Sequence, residues 1–140
     1  MNTVLRLLRN EHERLDQLFF RFQELMEEDR KEARLAFREF DLGLRRHIRF
    51  EEEALFPLYE KHAGFKGIGP TDVMRLEHQI IQQLLSQLGG KLNTIASEPD
   101  AEQIVLIQLL RGHTDREETG IYSSFDVIVN SRKDVSAVGE

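Results

Sequence analysis

A chain of 140 residues, 40% hydrophobic and 31% charged, is the size of one domain and can bury a real core. It has no cysteine, which excludes disulfides, thiolate metal sites, iron–sulfur ligation and thiol catalysis, so any metal must use nitrogen and oxygen ligands. A net charge of -6 and a pI near 5.4 argue against a nucleic-acid partner, no apolar run approaches the ~20 residues of a membrane span, and Arg6 and Arg9 interrupt any secretory signal, so a cytoplasmic location is expected.

The apolar spacing predicts a first helix from about Thr3 to Glu28, with Leu5, Leu8, Leu15, Phe19, Phe22 and Met26 on one stripe. The stripe is unbroken only if His12 belongs to it. A second helix starts near Asp29, which with Glu32 forms a candidate capping box. Its inward stripe reads Ala33, Phe37, Phe40, Leu44, His47, Glu51, Ala54 and Leu58, and Pro57 is expected to kink its last turns. His62-Ala63-Gly64 reads as a helix end, with Gly64 a left-handed cap.

Residues Gly64 to Pro70 connect the two halves. The third helix begins at Pro70 to Asp72 and carries Met74, His78, Ile81, Leu85, Leu88, Leu92 and Ile95, with Gly89-Gly90 a point where it bends or ends. After a break at Ser97 to Asp100, the fourth helix places Leu106, Leu110, His113 and Glu117 on one stripe and runs to about Asp126. Gly120 takes the place of Ala54, where a small residue would leave room beside a ligand. The expected fold is all-α, an up-down-up-down four-helix bundle over residues 1–130, followed by a flexible polar tail, residues 131–140.

The histidines reveal a repeat. His12 and His78 stand 66 positions apart, as do His47 and His113, and Glu51 and Glu117. The flanks agree at the same offset: Arg9-x-Glu11-His12 with Arg75-x-Glu77-His78, Leu44-Arg45-x-His47 with Leu110-Arg111-x-His113, and Glu51-Glu52 with Glu117-Glu118. The bundle therefore has a pseudo-two-fold axis relating helices 1–2 to helices 3–4.

Residues i and i+4 share a helix face about 6 Å apart along the axis, so His47/Glu51 and His113/Glu117 each reach a common point, and His12 and His78 add one nitrogen each. Two carboxylates in an apolar core are costly unless paired or coordinated, and no Lys or Arg lies on these stripes. Cations would balance them. Imidazole with carboxylate suits iron or manganese, with zinc possible. Two octahedral ions offer twelve positions; four histidines, two bridging glutamates and one bridging oxygen leave one open position on each ion, enough for dioxygen, nitric oxide or peroxide.

Other residues have a plainer reading. His62 lies outside the repeat, near a helix C-terminus. Glu52 and Glu118 are read as solvated or outer-shell residues, and Glu11 and Glu77 as orienting acceptors or parts of a solvated face. Tyr59 and Tyr122 could line the site, but ordinary packing is the plainer reading. Phe20 and Phe50 fall off the stripes and suggest a subunit contact, compatible with a homo-oligomer.

His12, His47-x-x-x-Glu51, Glu77-His78 and His113-x-x-x-Glu117, with the run from His47 to Pro57, resemble the hemerythrin-like (HHE cation-binding) family from about Asn2 to Asp126. The resemblance implies a four-helix bundle with a non-haem di-iron centre, oxo- or hydroxo-bridged. It implies His12, His47, His78 and His113 as terminal ligands, with Glu51 and Glu117 as bridging carboxylates. Oxygen-carrying members use a His-x-x-x-His pair on the third helix, but here the positions flanking His78 at four residues are Met74 and Gln82. Their last carboxylate also follows its histidine by five residues rather than four. The four-His, two-Glu set is closer to the family's iron-centre repair and iron-sensing members; the repair proteins usually add an N-terminal segment with cysteines, which this sequence lacks. Binding of a small ligand or of iron for sensing, storage or stress response is the leading expectation. A ferroxidase or peroxidase-like enzyme comes second and a metal-stabilised interaction module third.

Overall fold

The computed structural model describes residues 3–63, 69–92 and 101–124. The expected Gly64 cap, Ile95, the Ser97 to Asp100 break, the last turn to Asp126 and the 131–140 tail lie outside the described residues. Four helical rods make up the described chain, with no strand among the described residues. The first is α1 (Thr3–Glu28); the second is α2 (Arg30–Phe50), which runs through a π-helical turn (Glu51–Leu55) into α3 (Phe56–Ala63). The third is α4 (Pro70–Lys91), and the fourth is α5 (Ala101–Arg116), extended by a second π turn (Glu117–Tyr122). α1 packs along α2 and α4 along α5, with α4 also meeting α2, as an all-α four-helix bundle requires. No helix among the described residues is long and apolar enough to cross a membrane.

Local chemistry sets the helix starts. The Asp29 carboxylate accepts from the amides of Lys31 and Glu32, both at 3.2 Å, and so caps α2. The expected reciprocal half of the capping box has no donor left, because the Asp29 amide already donates to the Leu25 carbonyl at 2.7 Å. At α4 the Asp72 carboxylate accepts from the Gly69 amide at 2.8 Å, and Pro70 fills the first helical position. Gly89 and Gly90 do not end α4, which continues to Lys91. Gly43 is buried against α1; a Cβ there would stand 3.0 Å from Leu15 Cδ2.

The predicted stripes of α1 and α4 are buried, and so is that of α2 from Ala33 to Glu51. Ala54, Leu58 and Gly120 are corrections: all three are exposed. The cause is the π turn, which adds one residue to a turn and advances the buried face. The Phe56 amide donates to the Glu51 carbonyl, an i→i+5 bond, and the buried positions become Leu55, Phe56 and Tyr59. After Glu117 the same shift buries Ile121 and Tyr122, while Gly120 faces open space. Pro57 does not explain the loosened turn, because the second π turn forms where the corresponding residue is Ser123.

The core is in two parts. One apolar cluster joins residues such as Leu15, Phe22, Phe40, Ile48, Leu85 and Leu106. The other joins Leu5, Leu8, Leu55, Phe56, Tyr59, Met74, Ile121 and Tyr122. His12, His78, His113 and both inward glutamates fall between the two along their rods, and His47 lies at the edge of the first, next to Ile48. Phe20 and Phe50 are exposed, as their positions off the stripe require.

The shifted register makes a test. Leu55→Ala should cost about 2–5 kcal/mol in urea denaturation, as for a buried leucine. Leu58→Ala, on the stripe of an unbroken α-helix but in fact exposed, should stay within about 0.5 kcal/mol. Equal losses would contradict the π turn.

Candidate metal centre

All six predicted residues meet in this middle layer. His12, His47, His78 and His113 are at most 7% exposed, and Glu51 and Glu117 are fully buried. They form two groups, His12/His47/Glu51/Glu117 and His78/His113/Glu51/Glu117, each with four donor atoms within 4.8 Å of one another. His62 belongs to neither group.

The carboxylates divide their oxygens between the groups. Glu51 Oε2 lies 3.3 Å from His47 Nε2, and its Oε1 lies 3.3 Å from His78 Nε2. Glu117 Oε1 lies 3.1 Å from His12 Nε2, and its Oε2 lies 3.4 Å from His113 Nε2. The pairing follows the repeat: the His12 and His47 rings are 4.6 Å apart at 57°, and the His78 and His113 rings 4.7 Å apart at 58°.

Each imidazole is held from outside by a carboxylate at Nδ1. His47 pairs with Glu11 at 2.9 Å and His113 with Glu77 at 3.0 Å; His12 pairs with Glu118 at 3.1 Å and His78 with Glu52 at 2.7 Å. All four bonds cross between rods. They direct the Nδ1–H outward and Nε2 inward, the arrangement a metal-binding histidine needs. Glu52 and Glu118, which the sequence left between solvated and outer-shell roles, are orienting acceptors, as are Glu11 and Glu77. Arg9 pairs with Glu118 at 3.6 Å, and Arg116 with Glu77.

Tyr122 lines the site, a correction to the plainer of its two readings, ordinary packing. Its hydroxyl donates to Glu51 Oε2 at 2.5 Å and lies 3.2 Å from Glu117 Oε1, 3.3 Å from His47 Nε2 and 3.4 Å from His12 Nε2. An α-helical stripe running on from Glu117 does not place residue 122 inward; the π turn does. A signal was present in the sequence: at the repeat offset Tyr122 aligns with Phe56, and each follows its glutamate by five residues. The two rings sit alike, Tyr122 stacked on His12 at 5.5 Å and Phe56 on His78 at 5.6 Å. Tyr59 packs in the apolar cluster, as expected.

The donor set fits a cation. Glu51 Oε1 and Glu117 Oε2 are buried with no hydrogen-bond donor, a costly arrangement unless positive charge meets them. In the metal-free chain, protons supply that charge. Burial alone would push His47 down, but hydrogen bonds to Glu11 and Glu51 outweigh it and push it up to about 10. His78 is likewise pushed up to about 10, burial being overcome by Glu117 and Glu51. Burial would raise Glu117, yet His113, His12 and His78 hold it well below the usual carboxylate range. Burial, with both carboxylates beside it, raises Tyr122 and keeps it a neutral phenol.

The sign of the pH dependence follows. His47 and His78 titrate higher in the folded chain than their ordinary 6.5, so their contribution to stability is full below about 6.5 and lost as pH rises toward about 10. Thermal melts of the chelator-treated protein should show Tm falling over that window. A flat or rising Tm would mean the imidazoles are not carrying the charge.

The sequence model of the hemerythrin HHE cation binding domain matches residues 3–124. No curated protein sequence and no solved structure gives a significant match. The matched span covers most of the 140 residues and contains both histidine–glutamate groups, with their outer carboxylates and the Tyr122 hydroxyl among them. On the combined weight of that match and of a buried imidazole–carboxylate layer in a helical bundle, this chain belongs to the hemerythrin HHE cation-binding domain family.

Proposed function

We propose that the protein holds two iron ions, one in each histidine–glutamate group, and binds a small ligand there or handles iron itself, for sensing, storage or stress response. The observation that carries this reading is the division of the carboxylates: each glutamate offers one oxygen to each group, which is what a bridge between two cations requires. His12, His47, His78 and His113 would be terminal ligands and Glu51 and Glu117 the bridges. Four imidazoles with two carboxylates favour iron or manganese over softer-ligand metals, and helical bundles with inward Glu and His are an established frame for such pairs. Bound ions would supply Lewis-acid and redox chemistry. The chain supplies orientation through Glu11, Glu52, Glu77 and Glu118, and exclusion of water through the two apolar clusters.

Closure supports a small ligand over an organic substrate. No ligand side chain is more than 7% exposed, so dioxygen, nitric oxide or peroxide suits the site better than a larger molecule. The set of four histidines and two glutamates favours iron sensing over reversible oxygen carriage, since Met74 and Gln82 stand where a further histidine would be needed.

Elemental analysis of aerobically purified, iron-supplemented protein should give about two irons per chain, the ratio implied by two bridging carboxylates. Glu51→Ala should lose both ions together, because one side chain serves both groups. No metal, or a single zinc, would overturn the reading. For the orienting carboxylates, Glu52→Ala should weaken iron affinity about 10–100-fold in chelator competition while circular dichroism stays unchanged. An unaltered affinity would remove Glu52 from the site.

A further inference from the structure

The repeat makes the two halves of the centre nearly superimposable, and the difference between them reaches the donor atoms. Phe56 and Tyr122 occupy equivalent places, each fully buried and each stacked within 10° on a histidine of the centre. Tyr122 adds an oxygen to the His12/His47 group. Phe56 adds nothing to the His78/His113 group but an apolar wall, backed by the Arg75 guanidinium 5.4 Å from its ring.

The position of that oxygen is informative. Metal–ligand bonds to nitrogen and oxygen run about 2.0–2.2 Å, so neighbouring ligand atoms on one ion stand about 3 Å apart. The phenol oxygen lies 2.5, 3.2, 3.3 and 3.4 Å from Glu51 Oε2, Glu117 Oε1, His47 Nε2 and His12 Nε2. Those are ligand-to-ligand separations to all four donors of one group, and too long for the oxygen to stand where the ion itself would. The ring is clamped between His12 and the apolar cluster, so the hydroxyl is held at this vertex rather than swung toward it.

Building on the two-iron reading, we propose that Tyr122 is a further ligand of the ion bound by His12 and His47, and that small exogenous ligands are thereby confined to the ion bound by His78 and His113. The ion takes the place of the hydroxyl proton, which leaves to solvent; no oxidation state changes. Of the two positions left open by four histidines, two bridging carboxylates and a bridging oxygen, Tyr122 fills one. The other lies on the side walled by Phe56, next to Glu51 Oε1 and Glu117 Oε2, the carboxylate oxygens without a hydrogen-bond donor.

The test uses the ferric protein, loaded to the measured iron content. Wild type should show a visible phenolate-to-iron charge-transfer band, and excitation into it should enhance the Raman ring modes of a coordinated tyrosinate. The chain has only two tyrosines, so ring-deuterated tyrosine assigns those modes cleanly. Tyr122→Phe should retain its iron and lose the band. Azide titration should give one bound anion per iron pair in wild type and two in Tyr122→Phe. Phe56→Tyr, which installs the second phenol, should abolish azide binding. A wild type carrying two irons but no tyrosinate modes, a band that survives in Tyr122→Phe, or equal azide stoichiometry in the two proteins would overturn the proposal while leaving the two-iron reading intact. A wild type that binds no iron would overturn the two-iron reading, and this proposal with it.

Discussion

Two carboxylates sealed from water, Glu51 and Glu117, impose the constraint that the rest of this bundle answers. Ionised side chains in such a place are tolerated only when positive charge is brought to them with good geometry. Among the described residues, no lysine or arginine is buried in the layer. The chain brings four imidazoles, one per rod, each able to carry a proton or to give a lone pair to a cation. The same six side chains thus serve two states. Without metal, the raised His47 and His78 carry protons toward the carboxylates, and ions would replace those protons when metal arrives.

Positioning is achieved by bonds that run between rods rather than along them. The acceptor for each histidine comes from a different rod: Glu11 on α1 steadies His47 on α2, and Glu118, next to Glu117, steadies His12 on α1. The layer is therefore a closed ring of imidazole–carboxylate pairs that fixes the relative height of all four rods. Apolar clusters above and below keep water out and raise the strength of every electrostatic interaction inside.

The helical period carried most of this into view. With a 3.6-residue repeat, His12, His47, Glu51, His78, His113 and Glu117 fall on stripes otherwise filled by leucine and phenylalanine, and the 66-residue offset ties them into one site. What periodicity hid lies beyond the two glutamates. A π turn inserts a residue without changing composition, so Ala54, Leu58 and Gly120 read as inward though they are exposed, and nothing in the period singles out Tyr122, which is buried at the site. Glu52 and Glu118 were ambiguous for another reason: each neighbours an inward residue, and only the packing of a second rod decides whether its carboxylate meets water or an imidazole.

The pseudo-two-fold axis passes through the layer, which bears on how such a centre can arise. One hairpin holding a histidine, a His-x-x-x-Glu and two outer carboxylates is half a site, and two identical hairpins facing one another would complete it. Joining two copies in one chain removes the requirement that they match. Divergence is visible where Phe56 faces Tyr122 across the axis, and where Arg116, the partner of Glu77, corresponds to Phe50 beside Glu11. Fusion of the halves is what allows one end of the centre to differ chemically from the other.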